Sequence, residues 1–494
     1  MVKTSRTLKT AILSVGKALK SFSSILAAMV LIRLFSKEDW GTYRQTMLVF
    51  MMAAPLLGMG LSQSLMYFLP TEKKEQQGRI ILEAACMLLL AGFLYYLVII
   101  FGGNELIAQA WNNPRLAPLL IIVAPVALFT LATQIVTPSL IATQRVTKAA
   151  VFGVVTGLSL AIVSVIAALI CPTLEIVIAA IVVAQIALFM FATIWIFKFF
   201  PMKAPTWKGI KLQLAYGLPL GLSTAVGVIF RNVDRAMVSS FCEIEQFAIF
   251  DRGAMELPLI GVITGSMTAI LLVDYKVMFS SGKMEEVLPL LHRAVEKSAV
   301  ILMPVMCFLF LFAPEFMVCM FGQEYHESHS VFRVYLLLLP CRTLVFSSIA
   351  LAAGKTKELA LIPVAALVVN VVLNFFAIRT FGYIGSAFAT VFVIYFISNL
   401  GRALLARKVL GCTLIEFLPF KIIGKAFLLS FLSLVPVILT LPLLASFGPL
   451  LRFTIGLATY VSVIAVVFWK FNYIDKVKLK KQVGRLTMIW GNRK

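Results

Sequence analysis

The sequence predicts an all-α polytopic membrane protein of about 14 transmembrane helices, and three observations carry that expectation. Hydrophobic residues fill 61% of the 494 positions and charged residues only 13%, against roughly 45–50% and 25% in soluble domains. The apolar runs are about 20 residues or longer, and the ten-residue alternation of a membrane barrel does not appear. Lys and Arg outnumber Asp and Glu by 44 to 22. They gather in the polar breaks, where basic residues mark cytoplasmic loops of a membrane protein rather than contacts to nucleic acid.

The first ten residues, MVKTSRTLKT, followed by an apolar stretch, imitate a secretory signal. A small-residue cleavage site is lacking and the run continues to Arg33, Leu34 and Phe35, so it reads as a retained first span. Apolar runs between polar breaks then predict spans at 11–36, 41–69, 79–101, 115–140, 149–170, 174–198, 213–240, 247–277, 293–314, 330–353, 359–379, 384–406, 422–445 and 450–470. The breaks are too short to hold a soluble catalytic domain. With the N-terminus cytoplasmic, about three quarters of the basic residues fall on or next to that side. Lys73, Lys74 and Arg79 do so, as do Lys203, Lys208 and Lys211, and the tail from Lys470 through Arg485. Both ends are therefore expected in the cytoplasm. Seven scattered cysteines show neither a disulfide framework nor metal-ligand spacing, and no cofactor is read.

A weak internal repeat divides the chain. Glu38, Trp40, Gly41 and Tyr43 recur 207 residues later as Glu245, Phe247, Ala248 and Phe250, and Thr147-Lys148 reappears as Thr356-Lys357 at nearly the same offset. A constant offset over six spans gives a parallel repeat, a common transporter plan with the site between the halves. The expected organisation is a six-helix half at 1–211, a second at 212–408, an appended helix pair at 409–470 and a basic tail at 471–494.

Charges inside the apolar spans point to function. Arg231, Asp234 and Arg235 lie in one span, Asp251, Arg252 and Glu256 open the next, and Arg342 stands within another. A charge at the bilayer centre costs roughly 3 kcal/mol on the insertion scale, so such residues face a partner or a hydrated cavity. A membrane protein with several of them is expected to move something polar or charged.

Several stretches resemble one family. "LIRLFSKEDWGTYRQ" at 31–45 is similar to the first inter-span corner of the Wzx-type polysaccharide-export flippases of the multidrug/oligosaccharidyl-lipid/polysaccharide exporter superfamily. "YGLPLGLSTAVGVIFRNVDRAMVSSF" at 216–241 resembles their seventh span, "PEFMVCMFGQEYHESHSVFRVYL" at 314–336 their loop after span nine, and 352–390 their spans 11 and 12. Phe250 and Ala248 depart from the family's usual Tyr and Gly. The resemblance covers spans 1–12. It implies a V-shaped, two-lobe transporter in the bacterial inner membrane that moves a polyprenyl-diphosphate-linked oligosaccharide, an O-antigen, capsule or exopolysaccharide unit, to the outer leaflet. The expected partners are that substrate, membrane lipids and the polymerase and export machinery, with no nucleic acid.

Such a substrate needs a cationic, hydrated path. Span 1 carries Thr10, Ser14, Lys17, Ser21, Ser24 and Ala28 at three- and four-residue steps, flanked by Lys20. Lys17 and Lys20 are read as the inner station, snorkelling to head groups being the alternative. Arg342 falls near the midplane, with Asn370 at similar depth and Asn374 one turn beyond. Neighbouring spans offer no acid at that depth, which favours an anionic substrate group as the counter-charge. Arg231, Asp234 and Arg235 share a helical face, level with Asp251, Arg252 and Glu256, and Arg33 and Arg44 reach the same depth from the first half. This set reads as a gate closed by ion pairs, or as static pairing of spans 7 and 8. Arg231 and Arg252 are alternatively the exit station for the diphosphate. Coupling to the membrane potential suffices energetically, and proton coupling through Asp234 or Glu256 is the alternative.

Other signals fail. Gly354-Lys355-Thr356 imitates the end of a phosphate loop, yet Ile349 occupies the place of the upstream glycine. His326 and His329 read as solvated loop residues. No nucleophile–base constellation appears, so no enzyme is expected. The competing functions are a cation-coupled multidrug antiporter, which would favour acids in its cavity, and a non-transporting scaffold for glycan assembly.

Overall fold

The computed structural model describes residues 6–471, and these form helices joined by short turns, with no strand among the described residues. In chain order the helices are α1 (Arg6–Leu34), α2 (Lys37–Leu57), α3 (Leu61–Phe68), α4 (Lys74–Val98), α5 (Asn104–Ala110), α6 (Leu116–Val123), α7 (Pro125–Thr133) and α8 (Val136–Ala142). There follow α9 (Val146–Ile170), α10 (Leu174–Phe199), α11 (Trp207–Phe241), α12 (Ile244–Gly253), α13 (Pro258–Ser280), α14 (Val287–Leu311), α15 (Ala313–Phe321) and α16 (Ser328–Leu336). The rest are α17 (Leu339–Arg342), α18 (Ser347–Ala352), α19 (Thr356–Val393), α20 (Leu400–Leu410), α21 (Leu414–Phe417), α22 (Phe420–Leu432), α23 (Val435–Thr440) and α24 (Pro449–Lys470). Helix is what apolar segments of this length must adopt, because hydrocarbon offers the backbone no other hydrogen-bond partner.

Ten helices among the described residues are long and apolar enough to cross a membrane, or twelve when the bent pairs α2–α3 and α16–α18 each count as one. The expected fourteen are approached once the stretch Thr356–Leu410 is seen to be folded back on itself. Asn370 Nδ2 donates to Thr390 Oγ1 at 3.4 Å, whereas 20 residues of straight helix span about 30 Å. The chain reverses at Gly382, whose φ of +61° is open to glycine at no steric cost. The eighth expected span corresponds to α12 and α13, the latter carrying Asp274 and Lys276 near its end. The tail expected at 471–494 lies, beyond Phe471, outside the described residues.

By compactness the chain forms two units, one of residues up to Val262 with Ala360–Val393, the other of Ile263–Leu359 with Ile394 onward. This division differs from the boundary at 211/212 read from the repeat, because α11 and α12 pack on α2 and α3. In the first unit α1 lies along α9, and α4 packs on α7. A core of Leu61, Leu65, Ile81, Leu88, Leu140 and Phe152 is buried there. In the second unit α15 packs on α24, and α14 packs on α22 beside a core of Tyr275, Leu291, Val295, Phe346 and Phe417.

The joint between α2 and α3 positions the site. Met59 and Gly60 take positive φ and bend the pair by 41°. The backbone of this joint sits against Gly217 and Gly221 of α11. A Cβ on Gly60 would lie 2.1 Å from the Gly217 carbonyl oxygen, and one on Gly221 would lie 2.5 Å from the Gly60 nitrogen. Two small residues four apart let backbones meet in this way.

Candidate functional site

Asp251 is the centre of the site. It is buried near the end of α12, its side chain 1% exposed, and three guanidinium groups converge on it. Arg44 of α2 grips it with both arms: Nε donates to Oδ2 at 2.8 Å and Nη2 to Oδ1 at 3.1 Å. Arg235 of α11 donates from Nε to Oδ1 at 3.2 Å. Arg252 donates to Oδ2 from Nη2 and, at 3.1 Å, from Nε. The other two nitrogens of Arg235 are used as well. Arg235 Nη2 reaches the Ala254 carbonyl at 2.7 Å and Nη1 the Arg231 carbonyl at 3.2 Å, while the Arg252 guanidinium lies over the Trp40 ring at 4.8 Å. Asp234, also buried, accepts from the Arg235 backbone N–H at 2.7 Å and stands 4.0 Å from its guanidinium.

The arrangement follows the repeat. Arg44 and Asp251 are separated by the same 207 positions that relate the repeated motifs. The two helices that carry them begin alike. Ser36 caps α2 by accepting from Asp39 N–H at 3.0 Å, and Glu243 caps α12 in a reciprocal box with Gln246. Trp40 and its counterpart Phe247 are both buried, and Gly41 is pressed against Ile244, where a Cβ would lie 2.6 Å away. The starts of α2 and α12 thus face one another. A buried polar chain backs the contact: Asn113 Nδ2 donates to Gln45 Oε1 at 2.7 Å, and Gln45 Nε2 to Ser239 Oγ at 2.7 Å.

Three guanidinium groups thus share the carboxylate of Asp251, and Arg235 also reaches Asp234. A buried ion cluster contributes little net stability, since desolvation offsets attraction. Arg presents the planar fork that fits phosphate or carboxylate.

The other expected residues are placed as follows. Arg33, Arg231 and Glu256 are exposed. Lys17 is exposed on α1, whereas Lys20, also exposed, lays its aliphatic stem on α9, its Cγ 2.5 Å from where a Gly157 Cβ would stand. The side chains of Thr10 and Ser14 lie outside those described. Asn370 is fully buried, not open to a cavity. It accepts from Asn374 Nδ2 at 2.7 Å, and Ser386 donates to Asn374 Oδ1 at 2.5 Å, so this set joins the two arms of α19. Arg342 is exposed at the end of α17, in the second unit. His326 is exposed and half-buried His329 Nδ1 lies 2.7 Å from the His326 carbonyl.

Two charged residues that sequence reasoning passed over are structurally prominent. Glu83 of α4, 0% exposed, accepts from Thr206 N–H at 3.0 Å, Thr206 Oγ1 at 2.8 Å and Gln213 Nε2 at 2.9 Å. Arg79 is 3.8 Å away. A cleft of about 140 Å³ opens beside it. Glu83 fixes the start of α11, the helix that carries Asp234 and Arg235. Its position one turn after Arg79 within an apolar run was the available signal. Arg402 of α20 is the second.

These features define a multi-pass membrane protein in which α2, α11 and α12 meet at a buried charge cluster. The chain belongs to the polysaccharide biosynthesis protein family, which it matches over residues 30–330. Its fold is that of the lipid II flippase MurJ in an inward closed conformation, with a TM-score of 0.73 at 18% identity over 92% of this chain and 99% of that one. A multidrug resistance MATE family transporter in an inward-facing conformation gives 0.65 at 15% identity over 80% and 94%. A MOP superfamily transporter from Pyrococcus furiosus gives 0.59 at 14% identity over 82% and 96%. No curated sequence matches the chain.

Proposed function

We propose that this protein is a flippase that carries a polyprenyl-diphosphate-linked oligosaccharide from the cytoplasmic to the outer leaflet of the bacterial inner membrane by alternating access. The convergence of Arg44, Arg235 and Arg252 on Asp251 carries the reading. With both termini cytoplasmic, the corner between α1 and α2 faces outward, and Arg44–Asp251 acts as a closed outer gate between repeat-related helices. Parting α2 from α12 breaks that pair. Arg44 is then released from Asp251, and a diphosphate takes up its guanidinium group. Lys17 and Lys20 attract the head group on the inner side, and Arg342 receives it along the path. Membership of a polysaccharide biosynthesis family and a fold shared with a lipid flippase support this substrate class over a cationic drug.

The test is deletion and complementation in the host. Loss of the gene is expected to remove surface glycan and accumulate its lipid-linked precursor, with rescue by the wild type but not by Asp251→Ala or Arg342→Ala at equal membrane levels. Intact surface glycan together with raised retention of cationic dyes would show the antiporter instead. Rescue by both variants would favour the scaffold.

A further inference from the structure

We infer that the cleft beside Glu83, where α4 meets the start of α11, binds the head group of an aminophospholipid, with its ammonium among Glu72, Glu83 and Gln213 and its phosphate on Arg79. The cleft holds about 140 Å³ and is lined by Glu72, Arg79, Glu83 and Gln213, with Phe68 and Leu212 as apolar neighbours. All of it belongs to the first unit. The first turn of α11 makes room for the buried carboxylate. Gly209 stands there, and a Cβ on it would lie 2.2 Å from Glu83 Oε2. Thr206 donates to Oε1 from both its N–H and its hydroxyl. Among the described residues, Gln213 Nε2 alone donates to Oε2, so that oxygen keeps room for another donor.

Two buried polar atoms of this lining have no hydrogen-bond partner among the described residues, one an acceptor and one a donor. Gln213, 2% exposed, spends Nε2 on Glu83 and on the Ile80 carbonyl at 3.1 Å, which leaves Oε1 without a donor. Arg79 stands between two carboxylates, its Nη2 3.6 Å from Glu72 and its Nε 3.8 Å from Glu83. Both gaps exceed hydrogen-bond reach, and Nε has no other acceptor. Buried polar groups left so are costly to a fold. An occupant that satisfies both must donate to Gln213 and accept from Arg79. The two carboxylates oppose a bare anion and the guanidinium opposes a bare cation, whereas a zwitterion meets both. A primary ammonium brings three N–H donors, enough for Gln213 Oε1, Glu83 Oε2 and the Glu72 carboxylate. A phosphate linked to it takes the Arg79 guanidinium. The place suits a lipid as the source. Exposed Lys73, Lys74, Lys208 and Lys211 flank the lining residues in sequence, at the end expected in the cytoplasm. Trp207, 76% exposed, opens α11 beside them, as aromatic rings do at a membrane interface. The site does not depend on the flippase reading.

The test uses the full-length protein, delipidated in detergent and titrated with dioleoyl phosphatidylethanolamine, its mono- and dimethyl derivatives and phosphatidylcholine, with bound lipid read by native mass spectrometry. Wild type is expected to bind the primary amine about tenfold more tightly than the choline lipid, with a step down at each methylation as an N–H is lost. Glu72→Gln and Gln213→Leu should each bring that ratio below about threefold. Binding of phosphatidylglycerol, which has no amine, should stay as in wild type. The Glu72 side chain is 35% exposed, so Glu72→Gln reads the site even where Gln213→Leu fails to fold. Equal wild-type affinity for the amine and choline lipids overturns the proposal and leaves the cleft to water. A wild-type ratio that survives in Glu72→Gln overturns it as well. Displacement of the bound lipid by free phosphoethanolamine at equal concentration would assign the cleft to a soluble compound and overturn the lipid.

Discussion

Asp251 and its three arginines differ in what their removal costs. Asp251→Ala leaves the Arg44, Arg235 and Arg252 guanidinium groups facing one another with their shared acceptor gone, and breaking a buried pair from one side typically costs about 3–5 kcal/mol. Arg44→Ala removes one of three donors and also some like-charge repulsion, so its cost is expected to be clearly smaller. Thermal unfolding of the two variants in detergent checks the order; equal losses would mean that the cluster is not organised around Asp251. At this scale the sequence was partly legible. The 207-residue offset related Glu38 to Glu245, and the same offset links Arg44 to Asp251. Helical spacing put Arg231, Asp234 and Arg235 on one face, but it could not show that Arg235 turns to Asp251 while Arg231 stays exposed. Nor does spacing reveal burial: Asn370 looked like a cavity residue by depth, yet the reversal at Gly382 seals it between two arms of one hairpin.

Among the elements, α11 bears the site and is held at two points. At Gly217 and Gly221 it touches the α2–α3 joint backbone to backbone, and at its N-terminus Thr206 and Gln213 are held by Glu83. Gly221→Ala is expected to destabilise by about 1–3 kcal/mol, as overpacking does. Gly227→Ala on the same helix should be neutral or slightly stabilising, since its Cβ would meet only Arg231 Nη1, at 3.8 Å. Equal effects on the unfolding midpoint would deny the close contact at the joint. Glu83→Ala leaves the Thr206 and Gln213 donors without their acceptor. The segment before α11 should then loosen, and tryptic cleavage after exposed Lys203 should speed up, with Glu83→Gln intermediate. Cleavage at the wild-type rate would rule out the clamp. The existence of these helices was legible from their apolar runs. Their joints were not, because the positive φ at Met59 and the π turn at Ile394–Asn399 are set by packing and leave little trace in composition.

For the whole molecule, the all-helical membrane fold and the family were legible, whereas the compact units follow packing rather than the repeat. Sequence similarity marks the repeat near residue 211, but packing joins α11 and α12 to the first group of helices, since the Gly60 and Asp251 contacts both cross that boundary. On the proposed function, transport carries the substrate's charge. Moving about two negative charges outward through 100 mV, inside negative, releases about 4.6 kcal/mol at ~2.3 kcal/mol per charge. A potassium diffusion potential of that sign across proteoliposomes should therefore accelerate outward flipping, and a reversed potential should slow it. A rate indifferent to voltage would mean that the charge is compensated by a co-transported ion. The central claim, that the chain moves a diphosphate-linked glycolipid along its arginines, is tested most directly by flipping of a short polyprenyl-diphosphate oligosaccharide in proteoliposomes. Wild type is expected to outpace empty vesicles, with the gain lost in Arg342→Ala; wild-type flipping no faster than empty vesicles, or undiminished in the variant, would contradict it.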